Sequence, residues 1–501
     1  LAGVINYGRL DDYLGPYLVA DLESGRLTDE EAYRYIHSLW TMIENRRTTV
    51  NGRIIVGGKG RKHPKEADVF LHIAMKVAKN CRYVEPQFTL RFDKDTSEEI
   101  WDEALDALGA GATYPTLYND DVNVPAVMYG MRVDEKTAEQ YVPFGCTEFV
   151  IQGQSTGTPN ICINLLKLLT IYMNDGIDPI DGKRKSGPVP LKKLEEYQTF
   201  EEFYDGYKAL LDYYLDLSVK AQYHSYEVMN QHVSFLFTSL LTDDCIARGK
   251  ALLDGGVRYL GGTNETYGNI NTSDSLWVIR DLVFNQKKYT LRQLNDAMLA
   301  NFNGYEALRK DCLNCDKYGN DLETADTMAN DLYEFVAKGV RNRGIAIGMQ
   351  YFLIVISNNQ LNTEWGNRTA ASPDGRLSCM YMNPANNPQG GANKSGPTAM
   401  LNSLAKFDAK YHGGSVQNIK FSPSMFNENR AVIKSLFKTY FAKGGCHLMV
   451  TVVDKGVLED AVEHPENYPD LIVRVSGFSA VFVDLSPNIQ QELLSRVLYD
   501  E

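Results

Sequence analysis

The chain has 501 residues, of which 44% are hydrophobic and 23% charged, the composition of an ordinary globular protein that can bury a large core. Its net charge of −13 argues against nucleic acid as a main partner, because phosphate binding requires clustered Lys and Arg. No apolar run reaches the roughly 18–20 residues that a membrane-spanning helix needs. The 8 cysteines are too sparse for a disulfide scaffold. We therefore expect a cytoplasmic protein that binds neither membrane nor nucleic acid.

The first part of the chain alternates between helical and strand-like segments. Thr28 and Glu31 form a capping box, which predicts the start of an amphipathic helix. Apolar and polar residues alternate over 87–92, as in a strand, and a capped helix is predicted from residue 96 to near Gly109. A strand-like piece at 113–118 then runs into a predicted turn at 119–121. This alternation predicts an α/β protein with parallel strands.

The rest of the chain shows no internal repeat and no low-complexity linker. Thr158-Pro159 predicts a helix start, since proline suits the first turn, and the apolar residues that follow predict a buried core helix. The remaining predicted elements are, in order, that core helix at 161–173, long helices within 197–340, a strand at 447–453 and a helix at 457–469.

Cys312 and Cys315 form the only CxxC pair in the sequence. A structural zinc site would require two further ligands at matching spacing, and no such ligands accompany this pair. We therefore expect no metal there.

Two short motifs carry the chemistry. The segment 474–482 (RVSGFSAVF) places Gly477 among small, apolar and aromatic residues, and the segment 144–148 (FGCTE) contains Cys146 and Glu148. Taken alone, the first motif also suits a tight turn between strands, and a lone cysteine is more often a small buried hydrophobe. Further motifs accompany them in a fixed order along the chain: NYGRLDDY at 6–13, SPDGR at 372–376, SGPTA at 395–399, SLAK at 403–406 and NIKFSP at 418–423.

This ordered set resembles the glycyl radical enzymes over essentially the whole chain. The resemblance implies a ten-stranded α/β barrel, built of two five-stranded parallel half-barrels, inside which the cysteine and glycine loops meet. It also implies a barrel domain at 1–370 and a C-terminal glycine radical domain at 371–501. Only 145 residues precede Cys146, so the resemblance implies that part of the N-terminal half is absent and is supplied by another chain or a longer one.

The resemblance assigns a role to each of three residues. Gly477 stores a radical, because both flanking amides delocalise it and only glycine can be planar there without resistance from a side chain. Cys146 relays the radical, since its S–H bond is similar in strength to an activated C–H bond. Glu148 is the general base or acid, and a dry pocket would raise the pKa of its carboxyl. The alternative for Glu148 is a surface or salt-bridged carboxylate.

Departures from other branches narrow the reaction. Pyruvate-cleaving members have two adjacent cysteines, whereas Gly145 precedes Cys146 here. Members that add hydrocarbons to fumarate lack the glutamate, which this chain has as Glu148. Anaerobic ribonucleotide reductases carry a four-cysteine zinc site near the glycine, and this sequence has no such set of cysteines. What remains is a lyase that eliminates water, an amine or a sulfur group from a small polar substrate bearing a hydroxyl. The alternatives are an arylacetate decarboxylase and a non-catalytic subunit that retains the motifs.

Two positions are candidate substrate contacts. Asn160 lies where diol dehydratases of the family have an aspartate, and an amide still hydrogen-bonds a hydroxyl although it carries no charge. Ser357, followed by Asn358 and Asn359, ends an apolar run, and a polar loop end is its equal alternative. His447 either belongs to the family pattern or is a satisfied core histidine.

The family binds no organic cofactor in the active site. Its partner is an activating enzyme that uses an iron–sulfur cluster and S-adenosylmethionine, and we expect a homodimer.

Overall fold

The computed structural model describes residues 5–46, 52–157, 159–357 and 360–500, and of Pro159 and Asn160 it describes the backbone. In these residues the strands are β1 Asn6–Arg9, β2 Arg53–Gly57, β3 Phe88–Phe92, β4 Thr116–Asn119, β5 Tyr141–Phe144, β6 Glu148–Ile151, β7 Pro159–Asn164, β8 Gly261–Tyr267, β9 Tyr351–Ile356, β10 His412–Ser415, β11 Asn418–Phe421, β12 His447–Val452, β13 Ile472–Arg474 and β14 Ser479–Val481.

The α-helices are α1 Leu10–Glu23, α2 Asp29–Glu44, α3 Pro64–Asn80, α4 Glu98–Gly109, α5 Asp120–Met131, α6 Glu135–Ala138, α7 Leu165–Met173, α8 Phe200–His232, α9 Leu236–Leu240, α10 Cys245–Arg248, α11 Asn269–Val278, α12 Leu291–Leu299, α13 Glu306–Asn314, α14 Glu323–Ala346, α15 Leu361–Gly366, α16 Gly396–Ala405, α17 Pro423–Glu428, α18 Arg430–Ala442, α19 Lys455–Glu463 and α20 Pro487–Ser495. None of the described helices combines the length and the apolar composition that crossing a bilayer requires.

The chain forms two compact units, one of Leu1–Gly157 with Asp408–Glu501 and one of Thr158–Phe407. In the first unit, β1, β2, β3 and β4 pair in parallel in that order, β12 pairs antiparallel to β4, and β11 pairs parallel to β12. In the second unit, β8 pairs in parallel with both β7 and β9. The predicted α/β class with parallel strands is confirmed. The predicted boundary between domains 1–370 and 371–501 stays a prediction.

The elements of the first unit follow the sequence pattern closely. Thr28 and Glu31 form the predicted capping box at the start of α2, which buries Ala32, Ile36 and Trp40 on one face. Strand β3 and helix α4 also lie where they were predicted, with Ser97 capping the helix. Strands β2 and β3 are buried along their whole length, as expected of parallel strands that are covered on both faces.

Two local predictions were wrong. The predicted turn at 119–121 is the N-terminus of α5, where the side chain of Asn119 accepts a hydrogen bond from the Asp121 amide. The predicted helix start at Thr158-Pro159 and the single core helix at 161–173 are instead strand β7 followed by α7, which Asn164 caps by accepting from the Lys167 amide. Proline is tolerated at the first residue of a strand as well as of a helix, so it does not distinguish the two.

The C-terminal segment leaves the first unit's sheet and returns to it. After β12, a cluster of buried residues joins α19, the β13–β14 hairpin and α20; its members include Leu458, Val475, Phe478, Phe482 and Leu493. The chain then pairs with β11, where the Tyr499 amide donates to Lys420 O and the Ser422 amide donates to Tyr499 O, each at 3.0 Å. The segment therefore has its own core and is attached to neighbouring strands at both ends.

A fully buried ion pair fixes the strand that leads into the cysteine motif. Arg91 on β3 donates through Nε and Nη2 to the two oxygens of Asp120, at 2.9 and 2.8 Å, and both side chains are inaccessible to solvent. The Arg91 guanidinium also donates to Tyr141 O at 2.7 Å and lies 4.0 Å from the centroid of the Tyr141 ring. The pair thus connects the parallel sheet to the first residue of β5.

We expect Asp120→Asn to lower the free energy of unfolding by about 3 kcal/mol or more, because it leaves a buried guanidinium without its counter-charge. Urea denaturation followed by circular dichroism measures the change. The matched control is Glu459→Gln, which breaks an exposed 3.2 Å pair with Lys455 and should cost less than about 1 kcal/mol. Equal effects of the two variants would contradict the prediction.

Candidate functional site

Cys146 lies at the tip of a β-hairpin. Strands β5 and β6 pair antiparallel, with Phe144 opposite Glu148, so the three residues between them form the connection. Gly145 has a φ of +54°, and a Cβ at this position would lie 2.7 Å from Glu148 Oε2. Glycine suits this conformation and leaves room for the Glu148 carboxyl beside it. The hairpin buries Cys146, which is 1% exposed.

A buried arginine from the sheet positions the tip of this hairpin. The Nη2 group of Arg53, on β2, donates to Gly145 O at 2.8 Å and, at a longer 3.4 Å, to Cys146 O. The Nη1 group donates to Thr89 Oγ1 on the neighbouring strand at 2.7 Å. Because the guanidinium is planar and rigid, these bonds fix the backbone of the motif relative to the parallel sheet. No feature of the sequence motif pointed to Arg53.

Gly477 lies in the turn of a second hairpin. Strands β13 and β14 pair antiparallel, with Arg474 opposite Ser479, and the Val475 amide donates to Phe478 O at 3.0 Å. The glycine is buried and has a φ of +79°, a conformation that residues with a Cβ rarely adopt. The Ser479 hydroxyl lies 2.8 Å from Thr113 Oγ1, which ties the hairpin to the segment before β4.

The tips of the two hairpins are in direct contact. A Cβ placed on Gly477 would lie 2.6 Å from Cys146 Sγ and 2.5 Å from Cys146 Cβ, distances at which atoms overlap. The bond that a Cβ would occupy is a Cα–H bond in glycine, so this hydrogen points at the thiol. The structure therefore places a Cα–H bond of Gly477 directly against the thiol of Cys146, at the short range that a hydrogen-atom transfer would require.

Glu148 follows the thiol within the same hairpin. It is 3% exposed, and its Oε2 accepts a hydrogen bond from the Thr147 amide at 2.9 Å. The carboxyl is therefore held beside the Cys146 turn rather than at the surface. A buried carboxyl in this place is suited to exchanging a proton with a bound molecule.

Two histidines near the hairpins are held in the neutral form. Burial lowers the pKa of His412 to about 4, and its Nδ1 accepts a hydrogen bond from the Gly414 amide at 3.0 Å. Burial, and next the positive charges of Arg474 and Arg53, hold the pKa of His447 well below its usual range. The His447 ring packs edge-on against Tyr118 with centroids 4.5 Å apart. Both rings are therefore buried and uncharged.

Ser357 belongs to a polar cluster in the second unit. It directly follows β9, is 1% exposed, and lies 3.4 Å from the hydroxyl of Tyr267. Tyr267 in turn donates to Glu265 Oε2 at 2.5 Å, and Cys162 Sγ contacts the same oxygen at 3.6 Å. Sequence reasoning missed Cys162, Glu265 and Tyr267, although the polar residues two apart near the end of a strand were a usable signal.

The other candidate contacts are described less fully. Asn160 lies in β7, two residues before Cys162, and only its backbone is described. Asn358 and Asn359 lie outside the described residues.

Metal-ligating groups are scarce. Among the described residues, the only group of three such side chains with ligand atoms within 4.8 Å of one another is the partly exposed set of His72, Glu99 and Glu103. Cys312 and Cys315 are both free thiols, and burial raises their pKa to about 12 and about 11.

Comparison with known families identifies the chain. The model described as "Pyruvate formate lyase-like" matches residues 2–361, and the model described as "Glycine radical" matches residues 382–483, which include Gly477. The chain belongs to the pyruvate formate lyase-like superfamily of glycyl radical enzymes. The radical that gives the glycine radical domain its name is a post-translational one, formed on the polypeptide itself.

Several curated relatives and solved structures support this assignment. The trans-4-hydroxy-L-proline dehydratase of Clostridioides difficile is 29% identical over 98% of this chain and 64% of its own length. Its structure with the substrate bound superposes on this chain with a TM-score of 0.91 at 27% sequence identity. The glycerol-bound form of the B12-independent glycerol dehydratase of Clostridium butyricum superposes with a TM-score of 0.90 at 28% identity. Each of these two matches covers 99% of this chain and 64% of the other chain. The fold expected from the resemblance is confirmed, and the chain spans just under two thirds of the length of these relatives.

We expect His412→Asn to reduce the acid sensitivity of the protein. The neutral histidine binds fewer protons when folded than when unfolded, so its contribution is complete above its unfolded pKa of 6.5 and is lost as the pH falls toward 4. At pH 5 the loss is about 2 kcal/mol, and asparagine removes it while its side-chain oxygen replaces the Nδ1 acceptor.

The measurement is the difference in unfolding free energy between pH 7 and pH 5. His464→Asn, an exposed histidine of the same unit, is the control and should leave this difference at the wild-type value. An unchanged difference in His412→Asn would show that this histidine titrates alike in the folded and unfolded chain.

Proposed function

We propose that this chain carries the catalytic residues of a glycyl radical lyase. Gly477 stores the radical, Cys146 relays it, and Glu148 handles the proton. The observation that carries the proposal is the direct contact between the two hairpin tips, where the space beside Cys146 has room for a Cα–H bond of Gly477 but not for a side chain. A turn with only a structural role would not require a thiol at position 146.

The chemistry proceeds by hydrogen-atom transfer. The Gly477 radical takes the hydrogen of the Cys146 thiol, and the resulting thiyl radical takes a hydrogen from a substrate carbon that bears a hydroxyl. Glu148 accepts the proton of that hydroxyl, which assists departure of the neighbouring group with its bonding electron pair. The product radical then recovers the hydrogen from Cys146, and the thiyl radical recovers one from Gly477, so the radical is regenerated.

The substrate is a small polar molecule with a hydroxyl next to the leaving group. Relatives are named as dehydratases of trans-4-hydroxy-L-proline and (2S)-3-sulfopropanediol and as isethionate sulfite-lyases, names that denote eliminations from small polar molecules that bear a hydroxyl. The alternative is decarboxylation of an arylacetate, since a 4-hydroxyphenylacetate decarboxylase subunit is 25% identical to this chain.

Asn160 and Ser357 are our proposed substrate contacts. A non-catalytic subunit that retains the motifs is the remaining alternative.

The proposal includes three partners besides the substrate. A radical S-adenosylmethionine activating enzyme with an iron–sulfur cluster installs the radical, and a second copy of the chain forms a homodimer. Further polypeptide, in the same chain or another, provides the part of the relatives that this chain does not match.

We expect an organic radical after anaerobic incubation with a matching activase and S-adenosylmethionine. Electron paramagnetic resonance should show a doublet, split by the one remaining α-hydrogen, which disappears in Gly477→Ala. Cys146→Ser should retain the doublet and lose turnover, because the serine O–H bond is too strong to be broken by the glycyl radical. Glu148→Gln should also retain the doublet and should lower turnover by at least about 100-fold, the lower range for a general acid–base residue.

The control is Glu364→Gln, a neutralised carboxyl at an exposed position of α15, which should change neither the signal nor turnover. A substrate screen with polyols, amino alcohols and 4-hydroxyphenylacetate separates elimination from decarboxylation. Absence of a radical with a competent activase and with the further polypeptide present would favour the non-catalytic alternative.

A further inference from the structure

Four polar side chains converge at the carboxyl end of the parallel strands in the second unit. Glu265 and Tyr267 are the third-last and last residues of β8, Cys162 is the third-last residue of β7, and Ser357 directly follows β9. The side chain of Glu265 is central, because the Tyr267 hydroxyl donates to its Oε2 and the Cys162 thiol contacts the same atom. In parallel α/β sheets this end of the strands is where ligands bind.

Glu265 is a buried carboxyl without a counter-charge. It is 3% exposed, and the described residues provide it with hydroxyl and thiol donors but with no lysine, arginine or histidine. Burying an unpaired carboxylate is costly, and desolvation accordingly raises the pKa of Glu265. The buried guanidinium of Arg91, by contrast, is paired with the carboxylate of Asp120. A carboxyl left in this state is suited to a positive group that arrives with a ligand.

An aromatic pair lies beside this carboxyl. The rings of Tyr267 and Trp365, on α15, have centroids 5.4 Å apart, and they pack in one apolar cluster with Leu166 and Met382. Cys162 and Trp365 are only partly buried, so the cluster is not sealed. Aromatic faces next to a carboxylate are the surroundings that proteins use to bind ammonium groups.

We propose that Glu265, with Tyr267 and Trp365, forms a binding site for the protonated amine of a small hydroxyl-bearing molecule. The inference rests on the proposed function, because it names the substrate class of that lyase: amino alcohols, or cyclic amines that bear a hydroxyl. Glu265 pairs with the ammonium group, while the aromatic rings provide its apolar surroundings. The same carboxylate repels substrates whose corresponding group is a sulfonate, phosphate or carboxylate.

The proposal predicts a ranking among three probes that differ in one group: ethanolamine, ethylene glycol and 2-hydroxyethanesulfonate. Binding to the protein without its radical is measured by isothermal titration calorimetry and ligand-observed NMR at pH 7.5, so the result does not depend on activation or turnover. Ethanolamine should bind about tenfold or more tightly than ethylene glycol, the effect of one charge-assisted hydrogen bond, and the sulfonate should bind weakest. Ethanolamine binding that is equal to or weaker than ethylene glycol binding overturns the proposal.

The variant Glu265→Gln retains the shape of the side chain and removes its charge. We expect it to weaken ethanolamine binding about tenfold and to leave ethylene glycol binding within about twofold of wild type. Glu364→Gln on α15 is the matched control and should retain the wild-type ranking. A Glu265→Gln protein that folds, as judged by circular dichroism, and still prefers ethanolamine overturns the proposal.

The pH dependence of the wild type provides a second test that needs no variant. Ethanolamine affinity should fall as the pH is lowered through the raised pKa of Glu265, whereas ethylene glycol affinity should not. Two other titratable groups contact this carboxyl, and neither titrates in this range: the pKa of Cys162 is raised to about 12, and burial holds that of Tyr267 well above its usual value. Parallel pH profiles for the two probes overturn the proposal.

These results are separable from failure of the proposed function. If no radical forms on Gly477 but ethanolamine binds in a manner that depends on Glu265, the amine site stands and the lyase proposal fails. If the radical forms but the three probes bind alike, the lyase proposal stands and the amine site fails.

Discussion

The contact between Gly477 and Cys146 is the constraint on which the rest of the site depends. It holds two hairpins from distant parts of the chain at a distance that only a residue without a side chain permits. Each hairpin is fixed independently, the first by the Arg53 guanidinium and the second by its own apolar cluster and the hydroxyl contact to Thr113. These attachments to β2 and to the segment before β4 set the positions in which the two hairpin tips meet.

The protein stabilises its buried charges in different ways, and each has a consequence for function. Arg91 has a carboxylate partner, so its charge is neutralised locally. The described contacts of Arg376 include four backbone carbonyls, those of Gly366, Thr369, Ala370 and Met380, which makes it a structural centre of its loop. Arg53 donates hydrogen bonds to the backbone of the cysteine turn and thereby fixes the position of that turn. Glu265 is held by hydroxyl and thiol donors and, unlike Arg91, has no side chain of opposite charge beside it in the described part of the chain.

The sequence was sufficient for the fold class and for several helices and strands of the first unit. Capping boxes and alternation of apolar residues are local signals, so α2, β3 and α4 were predicted correctly. Strand β7 was not, because proline is compatible with the first residue of a helix and of a strand, and the choice is made by pairing with β8. Arg53 and Glu265 were missed for the same physical reason: their roles arise from contacts with residues far away in the chain.

The C-terminal segment has the properties of a separate cooperative unit. Its core is its own, and its two ends lie on neighbouring strands, with Tyr499 paired to β11 and the start of the segment following β12. Regions with a core of their own can open locally as one cooperative unit, and this segment would stay attached to the sheet at both ends if it opened. Opening would carry Gly477 away from Cys146 while the sheet remains intact.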